Sequence, residues 1–276
     1  MLLFPNCKIN LGLNIISKRE DGYHNLQSVF LPLPMQDALE IQTAHNTGKK
    51  VFFTCSGLPV AGNESSNLCI KAYNLLKANF PQLPSINMHL HKAIPMGAGL
   101  GGGSADGAFT LMLLNKKFGL QLTEERLIYY ALQLGSDCPF FIINQPCFAE
   151  GRGELLERIN LPLAGYTIVL VNPGIHINTA TAFLKITPAK PAKSIKDIVA
   201  QPLDSWKNEL VNDFEQPVLA EHPQLLSIKE KLYQLGAVYA SMSGSGSSFY
   251  GIFSAPPQIS SSTFPAHYFV KQLTLI

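Results

Sequence analysis

The chain has 276 residues, of which 46% are hydrophobic and 14% are charged, and its formal net charge is +2 at pH 7. This length suffices for a sizeable core in one large domain or two modest ones, and the composition excludes an intrinsically disordered chain. Because acidic and basic residues nearly balance, the charge gives no indication of a nucleic-acid partner or of a polybasic contact with a membrane.

The five cysteines argue against a disulfide-bonded secreted protein. Their number is odd, and no two of them have the Cys-x-x-Cys spacing of structural zinc sites. The apolar stretch at the N-terminus is too short for a signal peptide, and no apolar run reaches the ~20 residues that a membrane span needs. We therefore expect a cytoplasmic protein with reduced thiols, no membrane partner and no nucleic-acid partner.

Apolar and polar residues alternate in several segments of the first half of the chain, which predicts strands. These segments are residues 8–15, 28–33, 39–43, 50–54 and 86–90. In the first of them, the alternation predicts one buried face and one polar face. Helical patterns predict helices over residues 65–80, capped by Ser65 or Ser66, over residues 105–117, and from Thr123 to a stop at Gly135.

The second half of the chain also mixes strand and helix patterns. Strands are predicted over residues 166–171, 237–243 and 248–253, with two or three helices between residues 194 and 235. One of these helices is expected to begin at Pro223 and to stop at Gly236. This mixture predicts an α+β (mixed α/β) fold rather than a doubly wound one. We place a domain boundary near residue 155, which gives an N-terminal domain over residues 1–155 and a C-terminal α/β domain over residues 156–276.

The most informative segment is a glycine-rich loop between the strand at residues 86–90 and the following helix. Five of its seven positions from Gly97 to Gly103 are glycine. Such a run lets backbone N–H groups converge where side chains would block them, and a loop that leads into a helix N-terminus is an anion site. A phosphate is the usual anion at such a site.

Three other interpretations of this loop fit the sequence less well. The dinucleotide-binding fold needs an acidic residue about 20 residues on, at the end of a second strand, but Glu124 and Glu125 open a helix. A P-loop needs a lysine after the glycines, and Gly103 is followed by Ser104 and Ala105. A flexible glycine linker is disfavoured because strand and helix patterns adjoin the loop on both sides.

Three further places carry chemical potential, each with a plainer alternative. Lys8 on the polar face of the first strand could neutralise charge, or it could be an ordinary surface lysine. Asp137 could act as a general base or orient a hydroxyl that attacks phosphorus, or it could cap a helix or turn. Tyr23 and His24 after the Asp21–Gly22 turn could stack on and hydrogen-bond to a planar ring, or they could be ordinary loop residues. His89 and His91 share a strand face, but no cysteine or carboxylate accompanies them at metal-ligand spacing.

Taken together, these segments resemble the superfamily of galactokinase, homoserine kinase, mevalonate kinase and phosphomevalonate kinase. The resemblance begins with Pro95–Ser104, which reads PMGAGLGGGS, and extends over nearly the whole chain, from Lys8 to Gly246. Five segments are similar to the branch of this superfamily that phosphorylates a cytidyl-sugar-alcohol. They are the triple glycine, the KINLGL segment from Lys8, Asp-Gly-Tyr-His at Asp21, Gly-Ser-Asp-Cys-Pro at Gly135 and Ser-Gly-Ser-Gly at Ser243.

The resemblance implies a two-domain small-molecule kinase with its active site in the inter-domain cleft, using ATP as co-substrate and Mg²⁺ as cofactor. Lys8 and Asp137 match the catalytic pair, in which Asp137 orients the hydroxyl and Lys8 keeps that carboxylate ionised. The substrate-binding positions implied are Asn10, Tyr23, His24, Phe30, Thr179 and Phe183. The ATP-binding positions implied are Asn67, Lys92, Pro95, Met96, Gly97, Ala98, Gly99, Leu100, Gly101, Gly102, Gly103, Ser104 and Ala105.

Two features depart from the family pattern. A Phe-Lys pair expected beside the cytosine is here Phe183-Leu184-Lys185, so the lysine stands one place late. The Mg²⁺ ligands do not transfer, and Ser104 is a match by position alone. Two alternatives therefore stay open: another kinase of the superfamily, of homoserine or mevalonate type, and a nucleotide-binding regulator without catalysis. The oligomeric state does not follow from the sequence.

Overall fold

The computed structural model describes residues 1–44, 50–60 and 63–275. Helices and strands are mixed along this part of the chain, so the predicted mixed α/β class is confirmed. The strands are β1 (Leu2–Leu3), β2 (Asn6–Lys18), β3 (His24–Gln36), β4 (Ala38–Thr43), β5 (Val51–Gly57), β6 (Ile86–Lys92), β7 (Cys147–Glu150), β8 (Leu155–Arg158), β9 (Thr167–Asn172), β10 (Tyr239–Met242), β11 (Phe249–Phe253) and β12 (Phe269–Thr274).

The helices are α1 (Leu68–Asn79), α2 (Gly102–Phe118), α3 (Glu124–Leu134), α4 (Cys138–Ile143), α5 (Thr179–Phe183), α6 (Ile195–Val199), α7 (Trp206–Glu209), α8 (Glu215–Glu221) and α9 (Leu226–Gln234). Short 3-10 turns cover Glu64–Ser66, Leu203–Ser205 and Pro223–Leu225. Among the described residues, no helix combines the length and the apolar character needed to cross a membrane.

The chain divides into two compact units, each built from separate segments. Unit 1 consists of Met1–Cys7, Met35–Met96 and Gly101–Gln145. Unit 2 consists of Lys8–Pro34, Gly97–Leu100 and Pro146–Ile276. The division into residues 1–155 and 156–276 that the sequence suggests is continuous along the chain, unlike these units, and stays a prediction.

Unit 1 contains a four-stranded sheet in the order β1-β4-β6-β5. The pairs β1–β4 and β4–β6 are antiparallel, and β5–β6 is parallel. In β6 the apolar residues Ile86, Met88 and Leu90 are buried, as the alternation predicts. Burial of each such side chain contributes about 1.5–3 kcal/mol. This strand leads directly toward the glycine-rich loop, so a rigid sheet fixes one end of it.

Unit 2 contains two four-stranded sheets, ordered β2-β3-β7-β8 and β10-β11-β9-β12. In the second sheet β9 lies between β11 and β12, pairs antiparallel with both, and is buried along its whole length. Its core includes Val169 and Val171 from β9 and also Leu13 and Ile15 from β2. The strand that carries Lys8 is therefore anchored in the core of unit 2.

One prediction for β2 is wrong, because both of its faces are buried. Every residue from 6 to 15 is buried, including the polar residues at even positions. The polar side chains are buried with hydrogen-bond partners: Asn10 donates to Ser28, and Asn14 donates to Asp213. A buried polar group is tolerated when it is hydrogen-bonded, so alternation of residue type does not imply an exposed face.

The predicted start of the first helix is also corrected. Ser65 and Ser66 lie in a 3-10 turn, and α1 begins at Leu68. Asn67 is the N-cap residue, since its side-chain oxygen accepts hydrogen bonds from the backbone N–H groups of Cys69 and Ile70 at 2.9 and 3.4 Å. Asparagine caps a helix as well as serine does, so residue type alone does not decide which of these positions is the N-cap.

The predicted helix after Thr123 is confirmed. Thr123 caps α3 by accepting a hydrogen bond from the backbone N–H of Arg126, and the helix ends at Leu134, directly before Gly135. Glu124 and Glu125 occupy its first turn, where negative charge is favourable.

Candidate active site

The first half of the glycine-rich loop, Gly97–Leu100, belongs to unit 2 and is fixed by backbone contacts. The amide of Lys8 donates to the carbonyl of Leu100 at 2.9 Å, and Ser248 donates to that of Ala98 at 3.3 Å. A Cβ atom on Gly99 would lie 2.1 Å from the carbonyl oxygen of Ser243, and the φ angle of Gly99 is +76°. Only glycine fits there, so the Ser-Gly-Ser-Gly segment at Ser243, a second glycine-rich segment, lies against the first half of the loop.

The second half of the loop belongs to unit 1 and forms the beginning of α2. Gly101 is the N-cap residue in the left-handed region, and no side chain caps the helix. The helix begins at Gly102, earlier than the predicted start, and a Cβ atom on Gly102 would lie 2.9 Å from a side-chain carbon of Ile94. Ser104 and Ala105 lie within this first turn, and Ala105 is buried. A 17-residue helix with an uncapped N-terminus favours an anion such as a phosphate.

Lys8 is buried in unit 2 and lies together with two predicted substrate-binding residues. Its Nζ donates to Oδ1 of Asn10 at 2.6 Å and lies 4.5 Å from the ring centre of Phe30. The Asn10 amide donates in turn to Ser28 Oγ at 2.9 Å, and Ser28 donates to the carbonyl of Gly12 at 2.7 Å. The alternative of a surface lysine is therefore excluded. A buried ammonium in a network of hydrogen bonds is typical of a functional group rather than of a solubilising one.

Asp137 lies in unit 1, directly before α4, a helix that the sequence did not predict. It occupies the N-cap position, but its side chain makes no capping hydrogen bond. The next residue, Cys138, hydrogen-bonds with Ser104, and burial raises the pKa of its thiol to about 12. The capping role is thus not what holds Asp137, and Ser104 lies close to this segment. The pairing of Asp137 with Lys8 stays a prediction.

Unit 1 contains a cavity of about 290 Å³ beside the start of α2. Three predicted ATP-binding residues, Asn67, Met96 and Gly103, line it. Most of the other lining residues are apolar, and the carboxylate residue Asp106 also lines the cavity. An apolar cavity with a few polar groups is typical of a small-molecule site. Pro95 directly precedes Met96 at the same end of the loop.

The predicted ATP-binding residue Lys92 is buried and paired with two carboxylates. Its Nζ lies 2.7 Å from Asp106 Oδ2 and also contacts Asp37. Asp37 additionally accepts hydrogen bonds from the backbone N–H groups of Ala93 and Ile94 at 2.6 and 2.9 Å. Burial works to lower the pKa of Lys92, but Asp106 and Asp37 outweigh it and the pKa is raised. Whether Lys92 contacts nucleotide stays a prediction.

Asp106 is the more unusual member of this ion triad. Burial raises its pKa to about 7, against the opposing charge of Lys92. Its Oδ1 atom is buried without a hydrogen-bond partner among the described residues. Neither Asp37 nor Asp106 was predicted from the sequence. The place of Asp106 directly behind the glycine-rich loop was the signal that could have found it.

The remaining predicted substrate-binding residues also lie in unit 2. The rings of His24 and Phe183 are stacked, with centres 4.8 Å apart, and Phe183 also contacts Phe214 edge-on. Tyr23, one residue before His24, is 56% exposed. Thr179 hydrogen-bonds with Ser245 at 2.7 Å, so it adjoins the second glycine-rich segment. Lys185, whose role was open, forms an ion pair with Glu221.

No group of three or more histidine, cysteine or acidic side chains could hold a metal ion within the described ranges. His89 and His91 instead hydrogen-bond with Ser56 at 2.9 and 3.0 Å.

Comparison with known proteins decides the family. The model of the GHMP kinase N-terminal domain matches residues 67–148, and that of the GHMP kinase C-terminal domain matches residues 194–262. A 4-diphosphocytidyl-2-C-methyl-D-erythritol kinase of Bacteroides fragilis is 51% identical over 266 residues, which are 96% of this chain and 97% of that protein. The chain belongs to the GHMP kinase family.

Two further relatives agree with this membership in the GHMP kinases. A 4-diphosphocytidyl-2-C-methyl-D-erythritol kinase of Bacteroides thetaiotaomicron is 52% identical over 253 residues, which are 92% of both chains. A crystal structure of a 4-(cytidine 5'-diphospho)-2C-methyl-D-erythritol kinase is similar with a TM-score of 0.81 at 28% identity, and covers 99% of both chains. The GHMP kinase fold thus extends over essentially the whole chain.

Proposed function

We propose that this GHMP kinase transfers the γ-phosphoryl group of ATP to the 2-hydroxyl group of 4-diphosphocytidyl-2-C-methyl-D-erythritol. The hydroxyl oxygen forms a bond to the γ-phosphorus, the bond from that phosphorus to the bridging oxygen breaks, and ADP and a proton leave. The observation that carries this proposal is the 51% identity, over 96% of the chain, to an enzyme of that name. The reaction belongs to non-mevalonate isoprenoid precursor biosynthesis.

The catalytic roles are assigned to the residues with the matching chemistry. Phosphoryl transfer depends on positioning and on charge stabilisation. Asp137 orients the acceptor hydroxyl and takes its proton, while Lys8 stabilises the negative charge that moves from the γ-phosphate to ADP. The buried setting of Lys8, at 4% exposure, strengthens its electrostatic effect, because water screens it poorly.

ATP binding is assigned to the loop and to the cavity of unit 1. The backbone of Gly97–Gly103 and the N-terminus of α2 suit the phosphates, and the cavity lined by Asn67 and Met96 suits the base. On the acceptor side, Tyr23, His24 and Phe183 suit a cytosine ring, since two of these rings already stack on one another. Asn10, Phe30 and Thr179 complete the proposed acceptor site.

Mg²⁺ is proposed to enter with ATP. In kinases it is usually held by one or two carboxylates and by substrate phosphates rather than by a cage of protein ligands. Ser104, in the first turn of α2, offers a hydroxyl oxygen of the preferred type. This residue would hold the ion, which would neutralise phosphate charge.

The alternatives differ in their acceptor. A kinase of homoserine or mevalonate type would act on a substrate without a cytosine ring, and a regulator would release no ADP. The test incubates the purified chain with Mg-ATP and, in turn, the cytidyl substrate, homoserine or mevalonate, and measures ADP. We expect release above the ATP-only control with the cytidyl substrate alone. Release with a non-cytidyl acceptor instead, or none, would contradict the proposal.

Because both substrates are charged metabolites of the cell interior, we propose that the enzyme works in the cytoplasm. Its partners are then small molecules, with no role for a membrane or a nucleic acid.

A further inference from the structure

Both the backbone and the side chain of Tyr23 make specific contacts, although this residue is exposed. Its backbone is fixed by the turn, since its N–H donates to Asp21 Oδ1 at 3.1 Å and its carbonyl accepts from the amide of Arg19 at 2.8 Å. Arg19 in turn pairs with Asp21 at 2.9 Å. Only the side chain of Tyr23 therefore remains to be ordered, and an exposed tyrosine ring normally samples several rotamers.

The guanidinium of Arg152 restricts that ring. Its Cζ lies 5.0 Å from the ring centre of Tyr23, within the range of a cation–π contact. Arg152 is itself held, because its backbone N–H donates to Glu154 Oε2 at 2.5 Å and its Nε lies 3.4 Å from Glu154 Oε1. The preceding Gly151 accepts a hydrogen bond from the amide of Leu26 at 2.7 Å, which ties this turn to β3.

The arrangement joins two turns of unit 2 at the aromatic groups of the proposed acceptor site. One turn carries Tyr23, directly before His24 at the start of β3, and the other, between β7 and β8, carries Arg152. His24 stacks on Phe183 on its own account. The side chain of Tyr23 contacts Arg152, so the arginine determines the orientation of this ring.

We propose that Arg152 is a positioning residue that raises the affinity for the cytidyl substrate by holding the ring of Tyr23 in place. A ring that is already ordered loses less conformational entropy when a pyrimidine stacks on it. The guanidinium lies over one face of the ring and so directs stacking to the other face. This inference rests on the proposed function.

The test compares Arg152→Met, which keeps the apolar stem and removes the charge, with the unaltered chain. We expect the KM for the cytidyl substrate to rise about two- to fivefold, as the loss of an exposed cation–π contact predicts, with kcat and the KM for ATP unchanged. Arg152→Lys should restore part of the affinity, because an ammonium also binds a tyrosine face.

A double-mutant cycle separates an effect through Tyr23 from a direct one. In a Tyr23→Ala background, Arg152→Met should have no further effect on the KM. Arg126→Met is the matched control, since Arg126 lies 5.0 Å over the ring of Tyr129 in unit 1, whereas the proposed acceptor residues belong to unit 2. It should leave both KM values unchanged.

Three results would overturn the inference. One is an unchanged KM in Arg152→Met, and another is a full effect that persists in the Tyr23→Ala background. A third is an equal effect in Arg126→Met. Absence of ADP release by the unaltered chain is a different outcome, since it refutes the proposed function and this inference with it.

Discussion

Lys92 and Asp106 form a buried ion pair in unit 1, with Nζ and Oδ2 2.7 Å apart and Asp37 as a third member. One lysine thus faces two carboxylates, and the fully ionised triad carries a net charge of −1. Removing one partner of a buried pair usually destabilises a protein, because the other charge stays buried. If either carboxylate is removed, Lys92 keeps the other one as its partner. A single substitution can therefore test the triad.

Asp106→Asn is expected to change how stability depends on pH. The pKa of Asp106 is about 7 in the folded state and 3.8 as its ordinary value, so between these values the folded chain holds a proton that the unfolded chain lacks. This group's contribution to stability is fully present below pH 4 and is lost as the pH rises through 7. The uncharged amide mimics the protonated form at every pH. Relative to the unaltered chain, the variant should therefore be more stable at pH 8 than at pH 5.5, by about 1 kcal/mol or more.

Urea unfolding at the two pH values measures this difference. Asp197→Asn, at an exposed position in α6, is the control and should show the same offset at both pH values. An offset of Asp106→Asn that does not depend on pH would refute the assignment of this titration to Asp106.

Asp137→Asn is expected to reduce kcat by about 10²-fold or more, because a positioned acid–base group contributes 10²–10⁴-fold. The amide is the same size, so binding of ATP should be nearly unchanged. ADP release gives kcat, and titration calorimetry with ATP gives the affinity. Asp204→Asn, in a 3-10 turn of unit 2, serves as the control. A kcat within twofold of the unaltered chain would remove Asp137 from the mechanism.

His24→Ala is expected to weaken binding of the cytidyl substrate and to leave that of ATP unchanged. The imidazole stacks on Phe183 at 4.8 Å, so its removal takes away both a ring contact and a hydrogen-bonding group. We expect the KM for the cytidyl substrate to rise about tenfold, since lost ring and hydrogen-bond contacts of this kind amount to roughly 1–2 kcal/mol. His267→Ala, which removes an exposed imidazole, should change neither KM. Equal effects on both substrates would speak against a role in recognising cytosine.

Two glycines of the same loop should respond in opposite ways to alanine. In Gly99→Ala the new Cβ would meet the carbonyl of Ser243 at 2.1 Å, and φ is positive, so the loop must shift and the melting temperature should fall by several degrees. In Gly103→Ala nothing lies within 4 Å of the new Cβ and the position is helical, so the melting temperature should hold or rise slightly. Thermal unfolding followed by circular dichroism checks both. Equal melting temperatures would refute the close approach at Gly99.

The predictions from sequence were best where the signal was local. Alternation in β6 and the caps of α3 depend on neighbouring residues, and both were predicted correctly. The last strand, β12, was missed because it lies at a sheet edge with little burial, where the apolar pattern is weak. The helix α4 was missed because it has only six residues.

The candidate site divides in the same way. The glycine-rich loop could be predicted from the sequence, because a run of glycines indicates a backbone conformation that other residues rarely adopt. Lys8 and Asn10 lie two residues apart on one strand, a spacing that places both on the same face, and they are hydrogen-bonded. Asp37, by contrast, lies 55 residues from Lys92, and nothing local connects them. Arg152 and Tyr23 are likewise far apart in the sequence, so their contact was not predicted either.

The setting of Lys8 also has a consequence for synthesis of the chain. The carbonyl of Asn10 accepts a hydrogen bond from the Tyr250 hydroxyl, across 240 residues of sequence. At 5–20 residues per second, the ribosome adds that second group about 12–50 s after the first. During this interval β2 and its buried lysine have no finished core to enter. A nascent chain therefore acquires the buried setting of Lys8 late, and a chaperone that shields the β2 segment during translation should raise the yield of active enzyme more than one that acts on the released chain.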